Sequence, residues 1–342
     1  MPRTLRIAAV GDILMWGSQI QAARDTAQGS YLFDPMFAKA APLLRQANLT
    51  IGNLETTLSG REQVYQKRNP KTGYPRFNCP DELAYTLRRV GFNVLTTANN
   101  HCMDRGESGL RRTLNVLDKA GIQHTGTFRS KAESQKQLIY NANGFRIGIL
   151  SYTYGTNYIP VPSGKPWLVN RIHQQRMIQD LNALHGRCDA VVVSLHFGQE
   201  FYRYPNQRQK QIVRTLFYHG ADIILGAHPH VLQPASIQTV TDKWGRTKRR
   251  FAIYSLGNFI SDRMMGNRYA DIGVIVRLTL EKGADGTVNL RRIAYAPTWV
   301  QKRSIAGPGK YRVIPTAPYA KSELALRRIH LNTLRHLRGK VK

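Results

Sequence analysis

Side chains that can bind a cation recur directly after the predicted strands of this sequence. The first apolar run ends at Gly11-Asp12, and the second ends at Asn53-Leu54-Glu55. Later strand ends supply further amide, carboxylate and imidazole groups, namely Asn100, His101, Asp104, His196, Glu200, His228 and His230. Because the carboxyl ends of adjacent strands meet at one edge of an open α/β sheet, we expect these groups to share a pocket.

A pocket of this composition suits hard or borderline divalent cations such as Mn²⁺, Fe²⁺, Zn²⁺ or Mg²⁺. Two such ions about 3.5 to 4 Å apart could activate a water molecule and clamp a phosphate group. Each residue alone also has an ordinary explanation, since Asp12 suits a turn or an N-cap and His196 suits a hydrogen-bonded core position. Their joint recurrence favours a shared site, because turn chemistry does not select these residue types at each strand end.

The elements that must position these residues alternate between strands and helices, which is typical of a largely parallel sheet with covering helices. The predicted helices are residues 36–47, 83–90, 107–120, 169–184 and 205–219. The predicted strands between them are residues 5–10, 49–52, 92–97, 190–195 and 221–225, with a hairpin over 138–152. Residues 235–300 are mainly of β character and predict a second sheet.

The chain of 342 residues is long enough for one large domain with an appended element. We predict a domain over residues 1–302 and a basic C-terminal extension over residues 303–342. Within the extension, residues 322–338 place apolar side chains at helical spacing among arginines, which predicts an amphipathic helix. Its arginines could contact an acidic polymer, a nucleic acid or an anionic membrane, or could form an ordinary charged outer face: Arg327, Arg328, Arg335 and Arg338.

The composition limits the classes of protein to which the chain can belong. Lys and Arg number 50 against 21 Asp and Glu, a formal net charge of +29, which indicates a polyanionic partner. The hydrophobic fraction of 42% excludes a wholly disordered basic protein. The three cysteines are far apart in sequence and predict neither a disulfide framework nor a thiolate zinc site. No window supplies about 18 uncharged apolar residues, so we expect a cytoplasmic chain as given, with at most peripheral membrane contact.

A basic segment over residues 61–76 also contains Tyr65 and Tyr74. It could hold an anionic ligand over the strand-end pocket, although a solvated loop is the simpler interpretation. Nucleic-acid binding ranks last among the functions considered, because the sequence contains no standard nucleic-acid module.

Six separated motifs resemble the bacterial CapA family of capsule synthesis and poly-γ-glutamate biosynthesis. Besides the two strand ends that contain Asp12 and Glu55, the motifs are residues 98–101 with Asp104 and Gly106, residues 196–200, residues 226–233 and residues 254–259. The resemblance runs in order from about residue 5 to residue 262. The family is itself similar to the calcineurin-like metallophosphoesterases, which implies a four-layer α/β/β/α sandwich.

The resemblance also implies a role for each strand-end residue. Asp12, Glu55 and His230 would hold one metal ion. The second ion would be held by Glu55, as a bridge, together with Asn100, His196 and His228. His101 would be the imidazole that faces the substrate, and Asp104 would orient its ring.

One position departs from the metallophosphoesterase pattern. Leu14 stands where a histidine usually follows the first aspartate, which would leave one imidazole fewer and a single-metal or inactive site. Glu200 is a candidate to compensate.

The function implied by the resemblance is capsule or poly-γ-glutamate biosynthesis with a divalent-metal, phosphoesterase-type hydrolase site. The alternative is a non-catalytic metal-containing scaffold that binds an anionic polymer for synthesis or export. The expected partners are an anionic polymer or phosphoester substrate and a polymer-synthetase complex. A location at the cell envelope would suit the family.

Overall fold

Two β-sheets pack face to face between two layers of helices in the computed structural model, which describes residues 3–262 and 264–339. Residues 1–2, 263 and 340–342, which the predicted domain ranges include, lie outside the described residues. The α/β class and the four-layer α/β/β/α sandwich are confirmed. The division of the chain at residue 302 stays a prediction.

The first sheet has eight strands, and its amino-terminal strand, β1 (Arg3–Ile13), is central. On one side of β1 the strands are parallel to it, in the order β4 (Leu49–Leu54), β7 (Val94–Thr96) and β8 (Gln123–Thr125). On the other side each strand is antiparallel to its neighbour, in the order β16 (Ile272–Lys282), β17 (Val288–Lys302) and β18 (Tyr311–Pro315). The short strand β15 (Asn258–Ile260) pairs in parallel with the carboxyl end of β1.

The second sheet has six strands. Their order is β13 (Leu232–Thr241), β14 (Thr247–Leu256), β12 (Ile223–Ala227), β11 (Ala190–His196), β10 (Phe145–Thr153) and β9 (Leu138–Ala142). The antiparallel pair β9–β10 confirms the predicted hairpin. Two short ribbons lie outside these sheets, formed by β2 (Arg24–Asp25) with β3 (Ser30–Tyr31) and by β5 (Lys67–Arg68) with β6 (Pro75–Arg76).

The chain forms nine helices in the described residues. They are α1 (Gly17–Ala23), α2 (Asp34–Phe37), α3 (Ala41–Arg45), α4 (Glu82–Val90), α5 (Gly106–Lys119), α6 (Lys131–Ser134), α7 (Gln174–Leu184), α8 (Gln207–Tyr218) and α9 (Leu324–Leu337). Of these, α4 and α5 cover the outer face of the first sheet, and α7 and α8 cover that of the second. Short 3-10 turns occur at Pro166–Leu168, Arg268–Asp271 and Ala317–Tyr319. The single helix predicted over residues 36–47 is wrong, because the chain forms two short helices there. Pro42 lies in the first turn of the second one, where its missing N–H is tolerated.

Three buried apolar clusters separate the four layers. One lies between the first sheet and its helices and contains Phe37 and Leu87. The middle cluster fills the space between the two sheets. The third lies between the second sheet and α7 and α8, and contains Leu181 and Phe217. Burial of apolar surface at roughly 25 cal/mol per Å² makes these clusters the main stabilising contribution.

The expected division into a parallel first part and a second sheet over residues 235–300 is wrong in one respect. Residues 272–302 form β16 and β17, and these strands belong to the first sheet, where Leu278 of β16 lies opposite Ile7 of β1. The second sheet is built instead from residues 138–256. Alternation of apolar residues identifies a strand but not its partner, and both sheets bury strands of this kind in the cluster between them.

The predicted C-terminal helix is confirmed as α9. It packs on β13 and β17 and buries Leu326, Thr333 and Leu337, so it contacts both sheets. The strand β18, which precedes it, is paired with β17. The extension is therefore packed on the body of the protein over residues 311–337.

A buried ion pair in the second sheet gives a test of stability. Arg250 has a side chain that is 1% exposed and donates from Nη2 to Oδ2 of Asp242 at 2.8 Å. Its Nη1 donates to the carbonyl oxygen of Ala221. Removing Arg250 leaves the buried carboxylate of Asp242 with only the partly exposed Arg246 as a cationic partner, and losing the buried partner of an ion pair is strongly destabilising. We expect Arg250→Met to lower the free energy of unfolding by about 3 kcal/mol or more, measured by urea denaturation.

Arg246→Met is the matched control for that measurement. Arg246 also pairs with Asp242, at 3.1 Å, but its side chain is 43% exposed. Solvent therefore screens the ion pair between Arg246 and Asp242. We expect Arg246→Met to lower the free energy of unfolding by less than about 1 kcal/mol. Equal losses in the two variants would contradict the role given to burial.

Candidate metal centre

The first carboxylates of the site are positioned by neighbouring parallel strands. Asp12 of β1 lies opposite Asn53 of β4, and Nδ2 of Asn53 donates to Oδ1 of Asp12 at 2.8 Å. Glu55 follows directly after β4. Gly11 is required beside Asp12, because a Cβ there would lie 1.8 Å from the carbonyl oxygen of Gly257. The register of two strands thus places both carboxylates at one end of the first sheet.

The imidazoles come from the second sheet. His196 ends β11 and lies opposite Ala227, the last residue of β12. His228 and His230 follow β12 with φ angles of 95° and 58°, a backbone region that residues other than glycine seldom adopt. The expectation that one sheet edge gathers all the groups is therefore wrong. The edges of two facing sheets meet at the site, which explains how carboxylates from one reach histidines from the other.

The expected ligand atoms converge on Glu55. Nε2 of His196 lies 2.7 Å from Oδ1 of Asn100 and 3.3 Å from Oε1 of Glu55. On the other side, Nε2 of His230 lies 3.8 Å from Oε1 of Glu55, and its Nδ1 lies 3.4 Å from Oδ2 of Asp12. All of these side chains are buried. The two groups of atoms therefore meet at one carboxylate, that of Glu55.

Unpaired atoms test whether a cation fits this cluster. Among the described residues, neither carboxylate oxygen of Glu55 nor Nδ1 of His228 has a hydrogen-bond partner. Buried polar atoms without partners are costly. The groups Asp12–Glu55–His196 and Glu55–His228–His230 each offer ligand atoms within 4.8 Å of one another. These residues could hold a metal ion, and a cation would satisfy the unpaired atoms.

Asn258 orients one of these imidazoles, a role that the sequence analysis did not assign. Its Nδ2 donates to the carbonyl oxygen of Ala270 at 2.9 Å, so its Oδ1 is the acceptor for Nδ1 of His230 at 3.0 Å. Nε2 of His230 is thereby directed toward Glu55. Ligating histidines are commonly fixed by such a second hydrogen bond.

Burial and neighbouring charges shift the pKa values in the cluster in opposite directions. Burial, reinforced by the charges of Asp12 and Glu200, raises the pKa of Glu55 well above its usual value. Burial also raises the pKa of Asp12, but the hydrogen bond and charge of His230 outweigh it and leave the pKa lowered. Burial lowers the pKa of His196 to about 3 and that of His228 well below its ordinary value. These two imidazoles are therefore neutral near pH 7, which is the form that binds cations.

His101 and Asp104 form a pair beside the cluster. Nδ1 of His101 donates to Oδ2 of Asp104 at 2.7 Å, and the backbone N–H of Phe77 donates to the same oxygen at 2.6 Å. Asn157 lies on the other side of the ring, with its Nδ2 3.4 Å from Nε2 of His101. Its Oδ1 accepts from Nδ2 of Asn100, which fixes the orientation of the amide. Asn157 lies in the loop after the predicted hairpin, and the sequence analysis assigned it no role.

A cavity of about 490 Å³ opens onto this side of the site. It is lined by His101, Glu200 and His230 and by apolar and aromatic side chains, among them Trp16, Tyr74, Phe77, Phe201 and Met264. The Tyr74 hydroxyl donates to Oε1 of Glu200 across the cavity. Glu200 therefore lies at the cavity, but it is not part of either candidate metal group found among the described residues.

Two further positions from the sequence analysis have clear locations. Leu14 is fully buried in an apolar cluster with Phe77, Met264 and Ala270, which lies beside the metal cluster. In the basic segment over residues 61–76, Arg68 and Tyr74 line the cavity. Tyr65 instead packs in the core of the first sheet. The segment thus contributes its second half to the site.

Comparison with known proteins identifies the family. Residues 6–263 match the family model described as bacterial capsule synthesis protein PGA_cap, and the chain belongs to that family. It is 30% identical over 268 residues to the PGA biosynthesis protein CapA of Bacillus subtilis (strain 168), an alignment that covers 76% of this chain and 64% of that protein. It is 28% identical over 264 residues to the capsule biosynthesis protein CapA of Bacillus anthracis, covering 76% of this chain and 60% of that protein.

The chain spans less than two thirds of the length of these two relatives. Among solved structures, the NAD nucleotidase NadN of Haemophilus influenzae superposes with a TM-score of 0.51 at 14% identity, over 98% of this chain and 63% of that chain. At this identity the likeness concerns the fold alone. In the part of the chain that the structure describes, no helix has the length and apolar character needed to cross a membrane.

Proposed function

We propose that the chain is a divalent-metal-dependent hydrolase of the phosphoesterase type, acting in the synthesis or export of poly-γ-glutamate or a related anionic polymer at the cell envelope. The family and the names of its two Bacillus relatives support the link to capsule polymer. The proposed partners are the polymer or a phosphoester substrate, together with a polymer-synthetase complex.

The observation that carries the proposal is the environment of Glu55. It is a fully buried carboxylate without a hydrogen bond to any described residue, and it lies between imidazoles from the facing sheet. A structural carboxylate at such a position would be expected to have donors. An unpaired one at the meeting point of two ligand groups supports a cation-binding function.

In this proposal, Asp12, Glu55 and His230 hold one ion, and Glu55, Asn100, His196 and His228 hold the second. The donors are oxygens and imidazole nitrogens, which suit Mn²⁺, Fe²⁺, Zn²⁺ or Mg²⁺. When bound, such ions supply a nucleophilic water at neutral pH and neutralise charge on a phosphoryl group. Asn53 and Asn258 hold the ligand side chains in place through the hydrogen bonds described above.

His101 is the proposed proton donor to the leaving oxygen, or the group that stabilises the phosphoryl oxygens. Its ring lines the cavity, and a substrate oxygen that reached Nε2 would replace the 3.4 Å contact from Nδ2 of Asn157. Asp104 accepts from Nδ1 and stabilises the ring when it is doubly protonated. The Phe77 ring makes a T-shaped contact with the His101 ring, with 4.7 Å between the two ring centroids, and this contact limits rotation of the imidazole.

A non-catalytic scaffold is the second candidate, and the position of Leu14 favours it. Because Leu14 is enclosed by apolar side chains, the ion beside Asp12 would have one imidazole fewer than the usual metallophosphoesterase pattern. If the ion beside Asp12 binds too weakly to be retained, the remaining single-metal centre would stabilise the fold, and the protein would bind polymer without hydrolysing it.

Metal analysis combined with an activity panel separates the two candidates. We expect purified protein to contain about one or two divalent ions per chain and to hydrolyse an aryl phosphomonoester or phosphodiester with Mn²⁺. Chelation should remove this activity, and Mn²⁺ should restore it. Bound metal without hydrolysis would favour the scaffold, and protein that binds no metal would contradict both candidates.

A further inference from the structure

A second cavity, of about 400 Å³, lies between α9 and the two sheets. Arg203, Arg268 and Arg328 are among the residues that line it, and we call it the arginine cavity. Arg203 belongs to the loop before α8, Arg268 to the 3-10 turn before β16, and Arg328 to α9. Three separate elements therefore direct positive charge into one space.

Among the residues that the structure describes, no carboxylate pairs with these three arginines. Within residues 3–262 and 264–339, none of them forms an ion pair, whereas arginines elsewhere, such as Arg105 and Arg112, pair with Glu62 and Asp81. The cavity also contains Asp271, but Nζ of Lys302 lies 2.7 Å from its Oδ1 and neutralises it. The cavity therefore carries a net positive charge, which is suited to an anionic ligand.

Aromatic contacts hold two of the guanidinium groups in position. Arg203 lies over the ring of Tyr269 with 4.1 Å between its Cζ and the ring centroid, and Arg268 lies 5.3 Å from the same centroid. A stacked guanidinium keeps its N–H groups available in its plane for a carboxylate. Trp299 and Ile329 supply apolar wall beside these donors. Guanidinium donors beside an apolar wall match a chain that carries carboxylates on methylene groups.

The arginine cavity adjoins the same two segments as the cavity of the metal centre. In the loop after β11, Glu200 and Phe201 line the metal-centre cavity, and Arg203 lines the arginine cavity. In the segment before β16, Met264 lines the first cavity and Tyr269 lines the second. A ligand of several repeating units could therefore contact both places.

We propose that the arginine cavity binds the carboxylates of an acidic polypeptide, and so holds a second stretch of the polymer whose other end reaches the metal centre. The identity of the polymer rests on the proposed function, whereas the site itself rests on the arginines. A nucleic acid fits the cavity less well, because single strands bind by stacking bases on free aromatic faces. The Tyr269 ring is already covered by Arg203.

Binding of a fluorescent hexamer of γ-linked glutamate tests this proposal on the full chain, in the presence of a chelator. The chelator makes the result independent of the metal centre, and the hydrolysis panel is run separately. We expect Arg328→Gln to weaken binding by about tenfold, the effect of losing one charge-assisted contact. Arg203→Gln should weaken binding similarly, since it removes the stacked guanidinium.

Arg327→Gln is the matched control, because Arg327 is the neighbouring residue of α9 and is exposed as Arg328 is, but does not line the cavity. It makes the same change in net charge, and we expect it to alter the dissociation constant by less than about twofold. Equal weakening by the two helix variants, or absence of binding by the unmodified chain, would overturn the proposal. Equal affinity for a single-stranded DNA hexamer, with the same dependence on Arg328, would overturn its choice of ligand. None of these results would alter the test of metal-dependent hydrolysis.

Discussion

His101→Ala is expected to reduce hydrolysis of an aryl phosphate by about 10²- to 10⁴-fold, the usual contribution of a general acid. The metal content of the variant should equal that of the unmodified chain, because His101 is absent from both candidate ligand groups found among the described residues. The reason is geometric: the ring lines the cavity, while Nδ1 is occupied by Asp104. Initial rates at saturating Mn²⁺ and elemental analysis of the same preparation provide both readouts.

His124→Ala is the control for this experiment, since the chain contains a second His–Asp pair outside the site. Nε2 of His124 lies 3.1 Å from Oδ1 of Asp118, and the His124 side chain is 7% exposed. Removing it disturbs a buried imidazole of the same kind without touching the cavity. Undiminished hydrolysis by His101→Ala, or equal loss in the two variants, would remove the role proposed for His101.

The strand ends could be located from the sequence because two kinds of signal coincide there. Apolar runs show where strands such as β11 and β12 end, and the residues that follow, His196, His228 and His230, have chemistry that turns do not require. Six motifs in order then identified the family, which the match to residues 6–263 confirms. The local apolar pattern and the order of the motifs were therefore sufficient to predict the fold class and the residues that lie around Glu55.

Contacts between distant segments could not be predicted in the same way. The pairing of β16 with β1 joins two segments that are far apart in sequence. The alternation of apolar residues shows that each is a strand, but it does not specify the partner strand or the register. Asn157 and Asn258 act through hydrogen bonds to His101 and His230 that form only because the two sheets meet at the site. The arginine cavity exists only because α9 packs back on β13 and β17 and brings Arg328 near Arg203. On the sequence alone, Arg327 and Arg328 are indistinguishable.

Glu55→Gln should separate metal binding from folding. We expect it to weaken metal affinity but not to destabilise the metal-free protein. Loss of an outer hydrogen-bonding partner weakens metal affinity by about 10- to 100-fold, and a shared ligand should exceed the upper end of that range. Without metal, however, Glu55 is a buried carboxylate beside Asp12 that lacks a hydrogen bond to any described residue. Its neutral isostere should therefore leave the metal-free protein at least as stable as the unmodified chain.

Thermal unfolding with and without Mn²⁺ measures both effects. Mn²⁺ at about 100 times its dissociation constant should stabilise the unmodified chain by about 2.7 kcal/mol, and this increment should vanish in Glu55→Gln. Glu200→Gln is the control inside the same cavity: Glu200 accepts from Tyr74 and belongs to neither ligand group among the described residues, so its increment should remain. If Glu55→Gln kept the full increment while Glu200→Gln lost it, the ligand assignment would have to move from the strand end of β4 to the loop after β11. The opposite result would mean that the carboxylate lacking a hydrogen bond is the one that the cation needs.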